Sequence, residues 1–255
     1  MTIIAVFNQK GGVGKTTTAL NLAAALIKTG RTTYGLDLDP QAHFSSITGV
    51  VARSGEDTML SIFQHNRPLS ELVQESNSKI RIIPSHSELS KVDALFGKGF
   101  NVVNRLTSSL KSEAIGGKEM PLIIDCCPMV GVLSLNALFA CGGVIIPIAA
   151  DHLSIRGAIQ LEKSLNALEP VLKRRIRRRY LLTRYDGRRR MAREILRLAE
   201  ERFGQEVCKT RISENVSLAE SPALNMTIFE HAPTSRGAQD YEELAAELIA
   251  DGFIE

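Results

Sequence analysis

Short apolar runs alternate with helical patterns along this chain. The runs are rich in Ile, Val and Leu, which is typical of strands buried on both faces. They predict seven strands, at Ile3–Asn8, Thr32–Asp37, Ile80–Pro84, Leu122–Asp125, Val144–Ile148, Tyr180–Thr183 and Glu206–Thr210. Apolar residues at helical spacing predict helices at Lys15–Thr29, Leu133–Ala140, Ser154–Leu168, Arg188–Phe203 and Gln239–Ala250.

This alternation of strands and helices indicates right-handed crossovers and a parallel sheet. We therefore expect an α/β fold, with a doubly wound, mostly parallel sheet and helices on both faces. A chain of 255 residues suits one large domain, 1–255. Residues 41–118 are the least regular, with helical pieces around Thr58–His65, Leu69–Glu75, Glu88–Phe96 and Phe100–Ser112.

Composition excludes several classes of protein. The chain has no run of 18 apolar residues, and its first residues lack the basic region of a signal peptide, so we expect a cytoplasmic protein without a membrane partner. The four cysteines, Cys126, Cys127, Cys141 and Cys208, form no C-x-x-C pair. We expect them to be buried as small apolar residues rather than to bind a metal.

Basic residues are unevenly distributed. The formal net charge is only +3, yet 13 basic residues and four acidic residues lie between Lys173 and Arg202. No Lys or Arg follows Arg236. This asymmetry favours a surface that faces a polyanion, and a solvated loop and helix end is the alternative.

A phosphate-binding loop follows the first predicted strand and opens the first predicted helix. Its residues are Lys10, Gly11, Gly12, Val13, Gly14, Lys15, Thr16 and Thr17. Glycines let successive backbone N–H groups face phosphate oxygens, and the helix N-terminus adds positive potential. Lys15 then reaches the β- and γ-phosphates, the Thr16 hydroxyl ligates Mg²⁺, and Thr17 hydrogen-bonds the α-phosphate. The loop therefore predicts an ATPase with ATP and Mg²⁺ as its ligands.

Acidic residues end two of the predicted strands. Asp37 and Asp39 follow the second strand, and the two-residue period of a strand places them on the same side. Asp125 ends an apolar strand, which is the form of a carboxylate at a Mg²⁺ site. Because ligands of open α/β sheets bind at the carboxyl ends of the strands, we expect all three carboxylates beside the phosphate loop.

These residues resemble the ParA/MinD family of deviant-Walker ATPases, and within it the ParA partition ATPases. The matching stretches are Lys10–Thr17, Asp37–Gln41, Ile124–Pro128, Pro147, Thr183–Asp186, Leu218–Pro222 and Gly237–Leu244. They extend nearly from one end of the chain to the other. The resemblance also implies that adenine lies near Thr183–Asp186 and the loop after Thr210.

The resemblance implies roles for individual residues. Lys10 is the signature lysine, which crosses an ATP-sandwich homodimer to contact the nucleotide of the other subunit. A lysine in this place neutralises transition-state charge in trans, as an arginine finger does. Asp39 positions the attacking water, and Asp37 and Asp125 hold the Mg²⁺ shell. Lys10, Lys15 and Asp39 are thus the expected catalytic residues.

The function implied by the resemblance is a ParA-type positioning ATPase. ATP drives dimerisation, the dimer binds DNA non-specifically on the nucleoid, and a ParB-like protein or another adaptor stimulates hydrolysis. A MinD-like membrane switch is an alternative, but it needs a basic amphipathic C-terminal helix, and the tail here is acidic. An iron–sulfur reductase needs a cysteine spacing that this chain lacks, and a small-molecule kinase of the same fold remains an alternative.

The predicted DNA-binding surface departs from the family pattern. Many relatives carry arginines in a stretch resembling P-R-N-V-R-L-A-E-A-P, and Glu214 and Ser217 occupy those places here. A second family position, after the T-x-x-D segment, is kept as Arg188. Phosphate contacts by arginines give affinity without sequence preference, so DNA is expected at the remaining basic residues.

The helix predicted after Arg188 carries those residues. We expect it to bury Met191, Ile195, Leu198 and Phe203, and to present Arg190, Arg193 and Arg197 on another face, at i, i+3 and i+7. The sequence thus predicts DNA binding by Arg188, Arg190, Arg193 and Arg197. The alternative is weak DNA affinity and a different matrix or an adaptor.

Overall fold

Seven strands form one sheet in the computed structural model, which describes residues 2–97, 99–113, 115, 117 and 120–255. The strands are β1 (Ile3–Val6), β2 (Tyr34–Asp37), β3 (Gln74–Glu75), β4 (Arg81–Ile83), β5 (Leu122–Asp125), β6 (Gly143–Ala149) and β7 (Arg177–Thr183). Their order is β3-β4-β2-β5-β1-β6-β7, and every pair is parallel except β3 with β4 at one edge. The predicted doubly wound, mostly parallel sheet is confirmed.

The central strand β1 pairs with β5 on one side and β6 on the other. Strand β2 pairs with β5 in a register that places Asp37 beside Asp125. The carboxyl ends of β1, β2 and β5 therefore lie side by side at one end of the strands. They lie where the strand order reverses, which is the usual ligand position in open α/β sheets.

Helices cover both faces of the sheet. They are α1 (Lys15–Lys28), α2 (His43–Ile47), α3 (Met59–His65), α4 (Val92–Phe96), α5 (Phe100–Val103), α6 (Arg105–Glu113), α7 (Val132–Ala140), α8 (His152–Leu172), α9 (Arg190–Phe203), α10 (Val216–Glu220), α11 (Ile228–His231) and α12 (Arg236–Ala250). On one face, α1 packs against α12, with Leu22 and Tyr241 in the shared core. On the other face, Leu106, Ile155 and Phe203 belong to a second core under α6, α8 and α9.

The predicted helices are present with shifted ends. Helix α8 continues to Leu172, four residues beyond its predicted end. The helix predicted at Leu69–Glu75 is wrong, because a short 3₁₀ turn at Leu69–Glu71 leads into the edge strand β3. The short helix α2 was not predicted.

The strand predicted at Glu206–Thr210 is also wrong. The chain here runs alongside β7 and forms isolated bridges instead of a continuous strand pairing. One bridge joins Val207 to Tyr180, and a second, beyond the end of β7, joins Ser213 to Tyr185. Between the bridges, the backbone N–H groups of Lys209 and Thr210 donate to the Glu247 carboxylate, each at 2.7 Å. The N–H groups of Cys208 and Ile212 still donate to β7, but a side chain of α12 takes the N–H of Thr210, which a regular strand would also give to β7.

No helix within the described ranges combines the length and the apolar character needed to cross a bilayer.

Candidate nucleotide site and the basic segment

The loop between β1 and α1 is shaped by its glycines. Gly12 and Gly14 have φ angles of 74° and 87°, in the left-handed region that favours glycine. Gly14 is the N-cap of α1 and no side chain caps this end, so the first N–H groups of the helix remain available to an anion. The Thr183 hydroxyl donates to the Val13 carbonyl at 2.9 Å and ties the loop to the end of β7.

Lys15 lies inside this loop. Only 8% of the residue is exposed, and its Nζ donates to the Lys10 carbonyl oxygen at 3.0 Å. Burial lowers the pKa of Lys15, and the carboxyls of Asp125 and Asp39 oppose this shift. The ammonium is therefore held where phosphate oxygens would enter the loop, close to both carboxylates.

Asp125 is a buried carboxyl group that has no hydrogen bond of normal geometry, although the Thr16 hydroxyl lies nearby. It is 1% exposed, and neither side-chain oxygen has a hydrogen bond of normal geometry within the described part of the chain. Burial raises the pKa of Asp125 well above its usual range; Asp37 adds to this shift, and the Thr16 hydroxyl and Lys15 oppose it. A buried polar group without a partner is costly. Because Mg²⁺ prefers oxygen ligands, Asp125 and Thr16 fit a Mg²⁺ site.

Asp37 lies beside Asp125 and differs from it in its hydrogen bonds. Its Oδ2 accepts the N–H and the hydroxyl of Ser45 at 2.9 and 2.7 Å, and its Oδ1 accepts the N–H of Asp39 at 3.0 Å. Burial raises the pKa of Asp37, although these hydrogen bonds oppose the shift. Asp37 therefore holds the loop from Asp39 to α2 in place, and its contribution to a Mg²⁺ shell stays a prediction.

Asp39 stands at the open end of this loop. Its Oδ1 accepts the N–H of Gln41 at 3.0 Å, and its own carbonyl accepts the hydroxyl of Ser85 at 2.6 Å. No described residue donates to its Oδ2, so this oxygen remains available as an acceptor. This arrangement suits the predicted task of orienting a water molecule.

Lys10 contacts its own chain. Its Nζ donates to Asp151 Oδ1 at 2.7 Å and to the Ser154 hydroxyl oxygen at 2.8 Å, at the start of α8. Burial acts to raise the pKa of Asp151, but the hydrogen bonds from Lys10 and Ser154 outweigh it and lower this pKa. Asp151 and Ser154 were missed by sequence reasoning. To reach a second subunit, as predicted, Lys10 has to exchange these contacts for new ones.

A cavity of about 230 Å³ adjoins the phosphate loop. Its lining residues are Gly14, Thr17, Thr183, Arg184, Ile212, Ser213, Glu214, Asn215, Leu218, Ala219 and Tyr241. Its position agrees with the region predicted for adenine, after Thr183 and after Thr210. Leu218 and Tyr241 were not predicted, because helical packing brings them to the cavity from far along the chain. We call it the nucleoside cavity.

All four cysteines are buried, as predicted. Burial raises the pKa of the Cys126 thiol well above its usual range, and those of Cys127 and Cys141 to about 11. These thiols are therefore protonated and unreactive near neutral pH.

The basic residues from Lys173 to Arg202, here called the basic segment, are mostly engaged within the chain. Arg178 is 3% exposed and pairs with Glu169, and Arg179 pairs with Asp251 at 2.6 Å. The other contacts join Arg174 to the carbonyls of Leu138, Phe139 and Cys141, Arg175 to Glu206, Arg177 to the Gly252 carbonyl and Arg202 to Glu162. These bonds stabilise the fold at the end of the strands opposite the phosphate loop. The number of basic residues therefore overstates how much positive charge is free at the surface.

The predicted DNA-binding arginines differ in how free they are. Arg188 donates to both oxygens of Asp186 at 2.9 and 3.0 Å, and Arg193 donates to the backbone carbonyls of Gly187 and Arg188. Arg197 pairs with Glu201. Arg190 is exposed and has no side-chain partner among the described residues. DNA binding by these four residues stays a prediction, and Arg190 is the most available of them.

Helix α9 buries Ile195 and Phe203 as predicted, but only part of the predicted stripe is buried. Its buried residues are Ala192, Ile195, Ala199 and Phe203. Met191 is 44% exposed and Leu198 is only partly buried, so burial of Met191 was wrong. Each residue turns a helix by about 100°, and Met191 therefore falls beside the stripe that begins at Ala192.

Glu214 forms an ion pair with a neighbouring arginine. Its Oε2 lies 2.7 Å from Arg189 Nη2. The Nε of the same arginine lies 3.5 Å from Asp186 Oδ2. Glu214 therefore pairs with a residue beside the predicted DNA contacts, in addition to replacing an arginine at its own position.

Comparisons with known proteins agree with this geometry. The AAA_31 family, described as an AAA domain, matches residues 1–178. The chromosome-partitioning ATPase Soj of Thermus thermophilus is 37% identical over 248 residues, which cover 97% of this chain and 95% of that protein. The sporulation initiation inhibitor protein Soj of Bacillus subtilis is 32% identical and covers 98% of this chain and 99% of its own length.

A solved structure is similar over almost the whole chain. It is that of cobyrinic acid a,c-diamide synthase from Mycobacterium smegmatis with bound ADP and magnesium. The two chains are 27% identical with a TM-score of 0.84, and the match covers 99% of this chain and 96% of the other.

Proposed function

This chain belongs to the ParA/MinD family of P-loop ATPases, and from that premise we propose that it is a ParA-type positioning ATPase. In this proposal ATP and Mg²⁺ drive the formation of a homodimer, and the dimer binds DNA of the nucleoid without sequence preference. A ParB-like protein or another adaptor stimulates hydrolysis, which releases the DNA. Repetition of the cycle positions or segregates a cargo in the cytoplasm.

One observation carries the nucleotide part of the proposal: a buried lysine lies near a buried carboxylate that has no partner. Lys15 is inside the loop, and both oxygens of Asp125 lack hydrogen bonds in the described part of the chain. A triphosphate with a divalent cation would complete both groups, since phosphate oxygens attract Lys15 and the cation attracts Asp125. The relative named as an ATPase supports the same reading.

Hydrolysis in this proposal depends on positioning and charge. The loop N–H groups and Lys15 hold the phosphates, while Thr16 and Asp125 would hold Mg²⁺, which neutralises charge on the phosphate oxygens. The free Oδ2 of Asp39 accepts a hydrogen bond from the attacking water. Asp37 keeps Asp39 in place through its bond to the Asp39 N–H. Lys10 of a second copy supplies further positive charge.

A second candidate is ATP-dependent chemistry on a small molecule. The similar structure is named as a cobyrinic acid a,c-diamide synthase. In this chain a largely apolar groove of about 460 Å³ begins at Asp39 and continues along Cys127, Met129 and Leu133. A small substrate in this groove would lie next to the expected γ-phosphate. This candidate predicts ATP turnover without a DNA-binding dimer.

The homodimer is tested by size-exclusion chromatography with light scattering. We expect the Asp39→Ala variant, which slows hydrolysis, to be a dimer with Mg-ATP and a monomer without nucleotide. Adding Lys10→Ala should return it to a monomer while ATP binding remains, because Lys10 acts across the interface. Lys163→Ala, which removes an exposed lysine of α8, is the matched control and should leave the dimer intact. A monomer in all conditions would contradict the proposal and favour the small-molecule candidate.

A further inference from the structure

Glu214 lies between two cavities. It lines the nucleoside cavity and also a charged cleft of about 520 Å³ on its other side. The basic residues of the cleft are Arg188, Arg189, Lys209, Arg211 and Arg236, and its acidic residues are Asp186, Glu214 and Glu243. Ser213 also lines both cavities, but it carries no charge. Glu214 is thus the charged residue that a nucleoside and the basic cleft can both contact.

The side chain of Glu214 currently faces the cleft. Its Oε2 is 2.7 Å from Arg189, and the two side chains are 47% and 59% exposed. Ion pairs with this much exposure are weak, because water screens them and both side chains lose freedom. A competing hydrogen-bond donor in the nucleoside cavity can therefore take the carboxylate from Arg189.

Hydrogen bonds hold the backbone at Glu214 and in the residues just before it. Its N–H donates to the Tyr185 carbonyl at 3.2 Å, and the Tyr185 N–H donates to the Ile212 carbonyl at 3.0 Å. The N–H of Ser213 donates to the buried carboxylate of Asp240 at 2.7 Å. Movement between the two cavities is therefore available to the side chain of Glu214 without displacement of its backbone.

We infer that Glu214 is a nucleotide-responsive mask on Arg189, an inference that rests on the proposed function. With the nucleoside cavity empty, the carboxylate neutralises Arg189 and weakens the positive surface. A bound nucleoside offers amino and hydroxyl donors, and the carboxylate turns to accept from them. Arg189 then keeps only its longer, 3.5 Å contact with Asp186, a carboxylate that also pairs with Arg188, and becomes available to a DNA phosphate beside Arg190. DNA affinity thereby becomes linked to nucleotide occupancy within one subunit.

The linkage is reciprocal. If nucleotide binding releases Arg189, breaking the pair between Arg189 and Glu214 must favour nucleotide binding by the same factor. One exposed ion pair supports a factor of up to about fivefold. This limit of about fivefold on the change in affinity does not depend on protein concentration. Dimerisation acts through a different surface and does depend on protein concentration.

The first test measures binding of a fluorescent non-specific DNA duplex with and without Mg-ATP. Glu214→Gln should raise the nucleotide-free affinity by up to about fivefold and leave the ATP-bound affinity unchanged. Glu243→Gln removes the same charge from the same cleft, away from the nucleoside cavity, and should change both affinities by one common factor. A common factor for Glu214→Gln as well would overturn the inference.

The second test needs no DNA, and it follows a fluorescent ATP analogue. Arg189→Gln should bind the analogue up to about fivefold more tightly than Arg188→Gln. Both variants lose one positive charge that contacts Asp186, and only Arg189 also pairs with Glu214. Equal affinities would overturn the inference. If no variant binds DNA in the first test, the DNA part of the proposed function is wrong, and this second result still decides the mask.

Discussion

The phosphate loop and the basic segment use charge in opposite ways. In the loop region, Lys15 and Asp125 are buried and lie close together, yet the Asp125 oxygens have no hydrogen bond in the described residues. In the basic segment, most arginines are bound to carboxylates or carbonyl oxygens of the chain, among them Arg178 with Glu169 and Arg179 with Asp251. The first region contains buried polar atoms without hydrogen bonds, which lowers stability. In the second region most arginines form ion pairs or hydrogen bonds that stabilise the fold.

This difference teaches where a ligand is expected. Exposed ion pairs contribute little to stability, and a high count of arginines is therefore weak evidence for a binding surface. A buried carboxylate without a partner is costly and persists in a fold when a ligand completes it. By this criterion the nucleotide site is the better supported of the two binding sites. Within the basic segment, Arg190 is the most available residue, because it is exposed and has no side-chain partner among the described residues.

The largest effect is expected from Lys15→Ala, which tests the open region of this comparison. Loss of the buried ammonium should lower ATP hydrolysis on the order of 10²–10³-fold, the range of one preorganised electrostatic contact. A fluorescent ATP analogue should also bind much more weakly. Lys28→Ala changes an exposed lysine on the same helix and should leave both measurements unchanged. Unaltered turnover in Lys15→Ala would place the active site elsewhere.

An intermediate effect is expected from reversing charge in the basic segment. Arg190→Glu with Arg193→Glu should weaken ATP-dependent binding of a non-specific duplex and lower the slope of log affinity against log salt by about 2. The matched control is Lys163→Glu with Lys173→Glu, which reverses two exposed lysines outside the predicted DNA contacts and should keep the slope. An equal loss in both variants would show that only net charge matters, and unchanged binding would place the DNA surface elsewhere.

The smallest effect is expected in thermal unfolding, where the neighbouring carboxyls Asp37 and Asp125 should respond in opposite directions. In EDTA, Asp125→Asn should raise the melting temperature by a few degrees, at roughly 2–4 °C per kcal/mol recovered, because it neutralises a buried group without a partner. Asp37→Asn should lower it, because an amide nitrogen would face the donors of Ser45 and Asp39. Lower melting in both variants would mean that Asp125 has a structural partner.

Much of the fold followed from periodicity, and the exceptions have physical causes. Strands β1, β2 and β5 are short apolar runs buried on both faces, so their pattern does not depend on distant residues. The strand predicted at Glu206–Thr210 failed because Glu247, on α12, accepts the Thr210 N–H that a regular strand would donate to β7. The predicted burial of Met191 was wrong because packing decides where the buried stripe of α9 begins. A start one residue later, at Ala192, rotates the buried face by about 100°.

The sequence by itself determined the phosphate loop, because its geometry depends on local residues. Eight consecutive residues set the loop, and the strand before it and the helix after it orient its N–H groups. Tertiary structure alone decided which charges remain free, since the partners lie far apart in the chain: Lys10 and Asp151 are separated by 141 residues, and Arg179 and Asp251 by 72. An ion pair forms wherever folding brings opposite charges within a few ångströms, and no local pattern records that distance.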